Sequence, residues 1–414
     1  MSTSRAHPAL PLDRRDFLAS LGALSVAAAL PHSVARAAQH PAAAPSDFMF
    51  APGLVYLQTG SLGPTPWPVM DRTIAAWHEL ELNPVAYGYG SQEKAMDAVR
   101  AQAAAFLGCA TEELVLTKCT TDGINSIAQG MTLNRGDRIL TTDQEHPGGR
   151  VGWDYVAQRF GAVIDVVPLP PEVRDAHAVV DRFAKLITPR TRVFSFSHLL
   201  TSTGLRMPVA ELSALARAHG CIAVVDGAQS VGGIAVNVKA LGCHAYATSG
   251  HKWLLGPKGT GLLYLSNELG DTVKPIAQQS GRAAYSASSG VTNIPGVIGL
   301  GAAIDYHQGI GTGTIEAHNL DLASQVYDGI KTLPQLELVS PPPGPMASPL
   351  VSYRLPATRP AGALATRLGD RHKVVVKVVP TNWFNGHRIS THLFNTAQDV
   401  AALIDALRVE LASG

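Results

Sequence analysis

A lysine ahead of a glycine-rich turn is the feature of this sequence with the clearest chemical potential. In the stretch TSGHKWLLGPKGTG, Lys252 follows Ser249 and His251 and precedes a turn rich in glycine. A lysine ammonium at its usual pKa is a poor nucleophile, so a catalytic lysine needs burial or a cationic neighbour. We predict that Lys252 is such an amine and that the nearby Lys258 faces solvent.

An aspartate upstream could complete a cofactor site. Asp226 follows the apolar run Cys221–Val225, where an unpaired carboxylate would be costly. Lys252 can hold an aldehyde as an imine, and neighbouring hydroxyl and N–H groups can hold a phosphate. Asp226 can keep a pyridine nitrogen protonated, so that the ring accepts electrons released at a substrate's α-carbon. These are the requirements of pyridoxal 5'-phosphate (PLP). The simpler interpretation of Asp226 is a helix N-cap for the residues from 228 onward.

Several polar residues are candidates for further contacts with such a cofactor. Gln229 is placed to donate to the phenolic oxygen of the ring. Thr120 and Thr121 open a predicted helix, whose hydroxyls and free N–H groups suit a phosphate, although a plain threonine cap is the simpler interpretation. Ser249 and His251 would supply further phosphate donors.

Two more residues are candidates for contacts with the ring and the substrate. His146, in QEHPGG, could lie flat on the ring, although a single histidine is often only structural. Arg388, in GHRISTHLFNT, could pair bidentately with a substrate carboxylate. The alternative for Arg388 is a surface ion pair.

Short apolar runs alternate with helical patterns from about residue 113 to residue 265. Continuous apolar strands that alternate with helices indicate a parallel sheet covered on both faces. The predicted strands are Leu114–Leu116, Arg138–Leu140, Ala162–Val167, Val193–Phe196, Ile222–Val225, Ala245–Thr248 and Gly261–Leu265. The predicted helices begin near Asp122 and span Gly148–Phe160, Ala176–Ile187 and Pro208–His219.

The candidate residues fall at one edge of this predicted sheet. Ligands of such sheets bind outside the carboxyl ends of the strands. The residues that follow predicted strands directly are Thr120, Thr121, His146, Thr201, Asp226, His251 and Lys252. We therefore expect one shared pocket.

The remaining sequence predicts a second, smaller domain. We expect a large PLP-binding domain over residues 71–304, a small α+β domain over 305–414, and an N-terminal segment, 38–70, that packs with the small domain. A proline-rich loop at 341–345 and a strand over Val374–Val379 belong to the small domain. The last helix places one apolar face inward, formed by Val400, Leu403, Ile404, Leu407 and Leu411.

The first 37 residues resemble an export signal. Arg14 and Arg15 precede the apolar run Leu21–Leu30, and Ala35–Ala37 is a small-x-small cleavage pattern. The pattern is similar to a twin-arginine signal and too short for a comfortable membrane span. We expect export by the twin-arginine machinery. The alternative is an amphipathic or disordered tail. The expected location is the periplasm.

Composition excludes several classes of function. Of the 414 residues 46% are hydrophobic and 16% charged, and the net charge is +1, with no basic block. This gives no support for binding to nucleic acid or to an anionic membrane. The cysteines Cys109, Cys119, Cys221 and Cys243 lack C-x-x-C spacing, so we expect buried thiols and neither a metal site nor a disulfide framework.

Taken together, these residues resemble the class V aminotransferases, fold-type I PLP enzymes that include cysteine desulfurases and isopenicillin N epimerase. The resemblance covers nearly all of residues 50–410. The motifs that carry it are Tyr56–Gly63, Thr120–Asn125, Glu145–His146, Ser197–Gly204, Asp226–Gln229, Ser249–Trp253 and Arg388–Thr396.

The resemblance implies a role for each matching residue. Lys252 is the imine lysine, Asp226 contacts the pyridine nitrogen, and Gln229 contacts the phenolic oxygen. His146 stacks on the ring and Arg388 holds the substrate carboxylate. The phosphate ligands are Thr121, Ser249 and His251. Family members are typically homodimers with the active site at the subunit interface, so a homodimer is expected.

Two departures from the family pattern matter. Desulfurases carry a sulfur-accepting cysteine in a loop of the C-terminal domain, but the corresponding stretch Lys373–Asn385 has none. A threonine of the partner subunit usually follows the glycine of a G-T motif to reach the phosphate. Here the sequence is Gly290-Val291-Thr292-Asn293, so Thr292 is the candidate substitute.

We predict a PLP-dependent enzyme that removes the α-proton of an amino acid, with Lys252 as the base. The segment Ser197–Gly204 is more similar to the epimerase branch, as is Asn83-Pro84 followed by Tyr87 and Tyr89. Epimerase or C–S lyase-like chemistry is favoured. Transamination, desulfurase-type activity and a PLP-fold protein that binds without turnover are the alternatives.

Overall fold

A seven-stranded sheet forms the centre of the structure, a computed structural model that describes residues 45–270, 272–274 and 292–412. Its strands, from one edge to the other, are Leu114–Thr117, Gly261–Leu265, Ala245–Ser249, Ile222–Asp226, Thr191–Ser197, Arg138–Thr142 and Val163–Val167. All neighbouring pairs are parallel except the two made by Gly261–Leu265, which is antiparallel to both of its neighbours. The predicted α/β fold with a mostly parallel sheet is confirmed.

Helices cover both faces of this sheet. Successive side chains of a strand point to opposite faces. Val193 therefore packs in a core cluster with Ile124 and Trp153 on one face. On the other face the ring of Phe194 lies 5.6 Å from that of Phe183 in the helix Ala176–Leu186. Burial on both faces explains why these strands are continuously apolar.

The four helices predicted between the strands of the central sheet match observed ones closely, whereas the three helices between residues 67 and 107 were not predicted. The helix predicted near Asp122 begins two residues earlier, at Thr120. The α-helices are Trp67–Leu82, Pro84–Gly88, Ser91–Leu107, Thr120–Gly130, Pro147–Phe160, Ala176–Leu186, Val209–Ala218, Ile294–Ile310, Thr312–Lys331, Ala361–His372 and Ala397–Ala412. Over the residues that the structure describes, none of these helices is long and apolar enough to cross a membrane.

A second sheet of four antiparallel strands lies in the C-terminal part of the chain. Its strands, in order, are Lys377–Val378, Gly386–Ser390, Leu350–Arg354 and Glu337–Leu338. The single strand predicted over Val374–Val379 is wrong. Val374–Val375 pairs instead with Val55–Tyr56 of the N-terminal segment, and the buried Val376 separates it from Lys377–Val378.

The C-terminal helix Ala397–Ala412 buries the apolar face that its sequence predicts. Leu403 and Leu407 pack in a cluster with Leu364 and Leu368 of the helix Ala361–His372. The described residues belong to one compact unit. The predicted boundary between residues 304 and 305 falls inside the helix Ile294–Ile310, so the division into two domains stays a prediction. The predicted signal segment, 1–37, lies outside the described residues.

Candidate active site

A cavity of about 460 Å³ opens at the carboxyl ends of the central strands. Its volume lies in the range of small-molecule and cofactor sites. The predicted site residues that line it are Thr120, Thr121, His146, Thr201, Asp226, Gln229, Ser249, His251, Lys252 and Arg388. Thr292 does not line this cavity, and its predicted contact is with the partner's phosphate. Val291, beside it, lies outside the described residues.

Lys252 follows the strand Ala245–Ser249 and opens onto the cavity. Burial lowers the pKa of its ammonium to about 8; Asp226 opposes this shift, and Arg388 adds to it. The turn is held against the N-terminal segment, because Gly63 N donates to His251 O over 2.9 Å. A Cβ at position 63 would lie 1.9 Å from Lys252 O, so only glycine fits there.

The peptide that follows Lys252 is fixed by two buried histidines. His392 Nε2 donates to Trp253 O over 2.7 Å, and His307 Nε2 lies 3.0 Å from the same oxygen. His307 belongs to the helix Ile294–Ile310, whereas His392 follows the strand Gly386–Ser390. The backbone at the lysine is therefore anchored by two separate elements.

Asp226 is the last residue of its strand, and its side chain is buried. Its Oδ1 accepts a hydrogen bond from Ala228 N over 2.9 Å. No helix begins at residue 228, so the N-cap interpretation is wrong, and the bond closes a turn. Its other oxygen, Oδ2, accepts no hydrogen bond from the described residues. Burial raises the pKa of this carboxyl, while Lys252 opposes the shift.

The opposite end of the cavity carries donors suited to a phosphate. Ser249 Oγ lies 3.0 Å from Thr120 N and 2.8 Å from Thr120 Oγ1. Thr120 opens the helix Thr120–Gly130, whose N-cap residue Cys119 makes no side-chain capping bond, and Ser249 ends the neighbouring strand. Helix N-termini bind anions through their free N–H groups. His251 Nδ1 donates to Thr260 O over 3.2 Å, which orients its ring.

His146 caps a helix and can also contact a cofactor ring. It caps the helix Pro147–Phe160, because its Nδ1 accepts a hydrogen bond from Gly148 N over 3.0 Å. Burial and the charge of Lys252 lower the pKa of its imidazole to about 4. The ring is therefore neutral near pH 7 and suited to stacking on an aromatic cofactor.

Gln229 is held at the wall of the cavity by three contacts. Its Nε2 donates to Gly60 O over 2.8 Å and to Thr201 Oγ1 over 3.4 Å, and its Oε1 accepts from Trp253 Nε1 over 2.8 Å. In this structure Gln229 Nε2 therefore donates to Thr201, whereas Gln229 was predicted to donate to the phenolic oxygen of the cofactor. That role stays a prediction.

Arg388 is buried in the strand Gly386–Ser390, 3% exposed, so the surface ion-pair interpretation is wrong. It donates from Nη1 to Thr201 Oγ1 and O over 2.5 and 3.1 Å, and from Nη2 to Ser61 Oγ over 3.3 Å. Its Nε has no partner, and none of the described carboxylates forms an ion pair with it. Burial lowers the pKa of its guanidinium to about 10. A buried, unpaired arginine fits a substrate carboxylate.

Sequence reasoning missed one wall of the cavity, formed by Lys377, Val379, Pro380 and Trp383. The only available signal was the predicted strand over Val374–Val379, whose pairing with the Arg388 strand is not visible in the sequence. The expectation that all cysteines are buried thiols is also wrong. Cys221 and Cys243 are buried, whereas Cys119 lines the cavity.

A carboxyl that sequence reasoning did not single out lies beside the site. Glu145 Oε1 accepts from Thr142 Oγ1 over 2.6 Å, and its Oε2 accepts from Ser197 Oγ over 2.5 Å. Removal from water raises the pKa of this carboxyl to about 7, and Asp226 contributes to the shift. The available signal was its position directly before His146 in the motif.

These groups together fit PLP. Lys252 is an amine of lowered pKa, and Asp226 has an unpartnered buried oxygen for a protonated ring nitrogen. The N-terminus of the helix Thr120–Gly130, together with Ser249, supplies hydroxyl and N–H groups for a phosphate.

Comparison with known proteins agrees with this assignment. A family model described as "Aminotransferase class-V" matches residues 55–403. The chain is 30% identical over 380 residues to isopenicillin N epimerase of Amycolatopsis lactamdurans, covering 86% of this chain and 95% of that protein. It is 32% identical over 351 residues to a cysteine desulfurase of Klebsiella pneumoniae, covering 76% and 82% respectively.

Solved structures give the same result. A mutant of C-DES with glycine covalently linked to its PLP cofactor superposes with a TM-score of 0.79 at 25% identity, over 86% of this chain and 96% of that one. The cysteine desulfurase CsdA from Escherichia coli superposes with a TM-score of 0.79 at 26% identity, over 91% and 99%.

Proposed function

This chain belongs to the class V aminotransferase family of PLP-dependent enzymes, and from that premise we propose that Lys252 removes the α-proton of an amino-acid substrate. PLP supplies an aldehyde that condenses with amines and a ring that accepts the electron pair left at the α-carbon. The observation that carries the proposal is the placement of Lys252, Asp226 and the unpaired Arg388 in one cavity.

Each of these residues has one task in the proposed reaction. Lys252 binds the cofactor covalently until substrate arrives, and its freed amine then takes the α-proton as a general base. Arg388 binds the substrate carboxylate and so orients the α-carbon towards that amine. Asp226 would accept a hydrogen bond from the protonated ring nitrogen and keep that nitrogen charged.

For the step that follows proton removal we propose epimerase or C–S lyase-like chemistry. The epimerase of A. lactamdurans supports this choice, since 95% of its length matches the chain. The cysteine desulfurases among the relatives suggest desulfuration as the second candidate. Two observations argue against desulfuration. The stretch Lys373–Asn385 contains no cysteine that could accept sulfur. Cys119 does line the cavity, but it lies beside the predicted phosphate ligands.

Replacement of the lysine tests the covalent assignment. We expect Lys252→Ala to lose the visible absorbance of lysine-bound PLP and the covalent label left by borohydride reduction. Lys258→Gln is the matched control, because Lys258 donates to Gly63 O and Thr65 Oγ1 away from the cavity wall. The control should keep both signals. An unchanged borohydride label in Lys252→Ala would show that the lysine assignment is wrong.

An amino-acid panel on the purified protein separates the reaction branches. Exchange of the α-hydrogen in deuterium oxide without a net product indicates epimerisation. Release of pyruvate with ammonia or sulfide indicates elimination, and a keto acid with a stalled amine form of the cofactor indicates transamination. Absence of exchange with every amino acid in the panel would refute proton removal by Lys252.

We further propose that the protein is exported by the twin-arginine machinery to the periplasm and functions as a homodimer. The adjacent Arg14 and Arg15 before an apolar run support export. The dimer is supported by large apolar side chains left exposed on the helices Trp67–Leu82 and Pro84–Gly88. Cell fractionation tests export: replacing both arginines by lysine should retain the protein in the cytoplasm, and unchanged export would refute this route.

A further inference from the structure

We propose that the substrate is an amino acid whose side chain ends in an anionic group and that Lys377 binds this group. The inference rests on the proposed function, in which Arg388 already holds the α-carboxylate. It adds the substrate class and the residue that selects it.

Lys377 and Arg388 face the same cavity. They are directly opposite each other in the antiparallel pair formed by Lys377–Val378 and Gly386–Ser390. Directly opposed residues of such a pair project from the same face of the sheet. Both side chains accordingly line the cavity. The site thus contains two cations on neighbouring strands.

None of the described carboxylates neutralises Lys377. Its backbone pairs with that of Arg388, but its ammonium forms no hydrogen bond and no ion pair with any residue that the structure describes. Burial lowers the pKa of its ammonium, and the charge of Arg388 lowers it further. Its charge also contributes to the lowered pKa of His146. Two like charges that share a partly dehydrated space repel each other, and a bound anion relieves the repulsion.

Arg388 is more deeply buried than Lys377, so we assign the two cations to different parts of the substrate. Arg388 is buried, with its donors directed at Thr201 and Ser61, whereas Lys377 is half-buried. The α-carboxylate, which must lie close to Lys252, therefore belongs to Arg388. Lys377 remains for a second anion farther along the substrate.

The surface beside Lys377 suits the methylene groups of such a side chain. Val379, Pro380 and Trp383 form an apolar part of the cavity wall. Trp383 is held in place by its Nε1, which donates to Asp143 O over 3.3 Å, and by packing against Val379 and Phe384. A side chain with an apolar stem and a charged end matches this wall and its single ammonium group.

Pairs of acidic amino acids and their neutral amides test the inference. Rapid mixing of the holoprotein with L-glutamate, L-glutamine, L-aspartate or L-asparagine gives a dissociation constant from the change in cofactor absorbance before turnover. A charge-assisted hydrogen bond implies that at least one acid binds roughly 10- to 100-fold more tightly than its amide. This preference should weaken as ionic strength rises.

Variants assign the preference to one side chain. Lys377→Gln should remove the preference for the acid, and Lys377→Arg should retain most of it. Lys331→Gln, on the exposed end of the helix Thr312–Lys331, is the control and should leave it unchanged. Visible cofactor absorbance reports in each variant that the fold and the Lys252 link are intact.

Two results would overturn the inference in distinguishable ways. If Lys252 carries the cofactor and acids bind no more tightly than amides, or Lys377→Gln keeps the preference, the inference fails and the proposed function stands. If Lys252 carries no cofactor, the proposed function fails and the inference fails with it.

Discussion

The Lys252 ammonium has a pKa of about 8 because it is buried and because the guanidinium of Arg388 opposes a second positive charge nearby. Near neutral pH a usable fraction of the amine is therefore already uncharged. A lysine of ordinary pKa would be almost entirely protonated under the same conditions. This difference prepares the cofactor-free protein to react with an aldehyde.

The rate at which cofactor-free protein takes up PLP should follow this ionisation. Because only the neutral amine attacks an aldehyde, we expect the rate to rise about tenfold per pH unit below pH 8 and to level off above it. Stopped-flow absorbance between pH 6.5 and about pH 10 measures the profile. Arg388→Gln removes a charge that lowers the pKa, so its midpoint should move to higher pH. A wild-type rate that keeps rising to pH 10 would contradict the assignment.

Ten of the 22 residues that line the cavity could be predicted from the sequence, because most of these ten lie at or just after the end of a strand or at the start of a helix. Asp226 and Lys252 are recognisable in this way from local pattern alone. Lys377 was not, because it reaches the cavity only through its pairing with Arg388 on a strand that follows it in the chain. That pairing depends on tertiary structure, and no local signal marks it.

At the scale of elements, the first turn of the helix Pro147–Phe160 approaches the end of the strand Ile222–Asp226. The approach depends on Gly149, where a Cβ would lie 2.5 Å from Asp226 Oδ2. Real Cβ atoms do not come so close to oxygen, so a larger residue must displace the carboxylate or the helix. The glycine therefore keeps this oxygen free for its proposed contact with the cofactor ring.

Gly149→Ala should weaken PLP binding roughly tenfold or more while the protein still folds, because the new methyl group displaces the carboxylate that we propose holds the ring. Titration of cofactor-free protein by absorbance measures the affinity, and circular dichroism checks the fold. Gly362→Ala is the matched helical control, since no atom lies within 4 Å of its Cβ position. Affinity unchanged in Gly149→Ala would disprove this role of the close approach.

The strands and helices of the central sheet could be predicted from sequence, because each is one continuous apolar run or one amphipathic pattern. For the stretch Val374–Val379 this prediction was wrong. It is uniformly apolar except for Lys377, yet its two halves pair with different partners, Val55–Tyr56 and Gly386–Ser390. Which partner each half takes depends on segments far away in the chain, so periodicity could not reveal the division.

At the scale of the whole molecule, the helix Trp67–Leu82 leaves large apolar side chains in water. Trp67, Ile74 and Trp77 are 41%, 47% and 52% exposed. Their spacing of seven and three residues places them on one face of the helix. Tyr89, which follows the next short helix, is 69% exposed. Such a concentration of apolar surface is typical of an interface between subunits.

The proposed homodimer should therefore depend on this helix. We expect the purified protein to sediment as a dimer and Trp77→Glu to shift it towards monomer, because a charge would be buried at the interface. Val151→Glu, at a position 50% exposed on another helix, is the control and should remain dimeric. A monomeric wild-type protein, or a fully dimeric Trp77→Glu variant, would contradict this assignment.

The oxygen of Trp253, bound by His307 and His392, sets how the reactive amine can travel. Because the main chain beside Lys252 is held in place, the amine nitrogen can move only by rotation about the bonds of its own side chain. In the proposed reaction, the cofactor aldehyde and the substrate α-hydrogen must therefore both lie within reach of this side chain. Replacing either histidine by glutamine would give the backbone at Lys252 more freedom without changing any reacting atom.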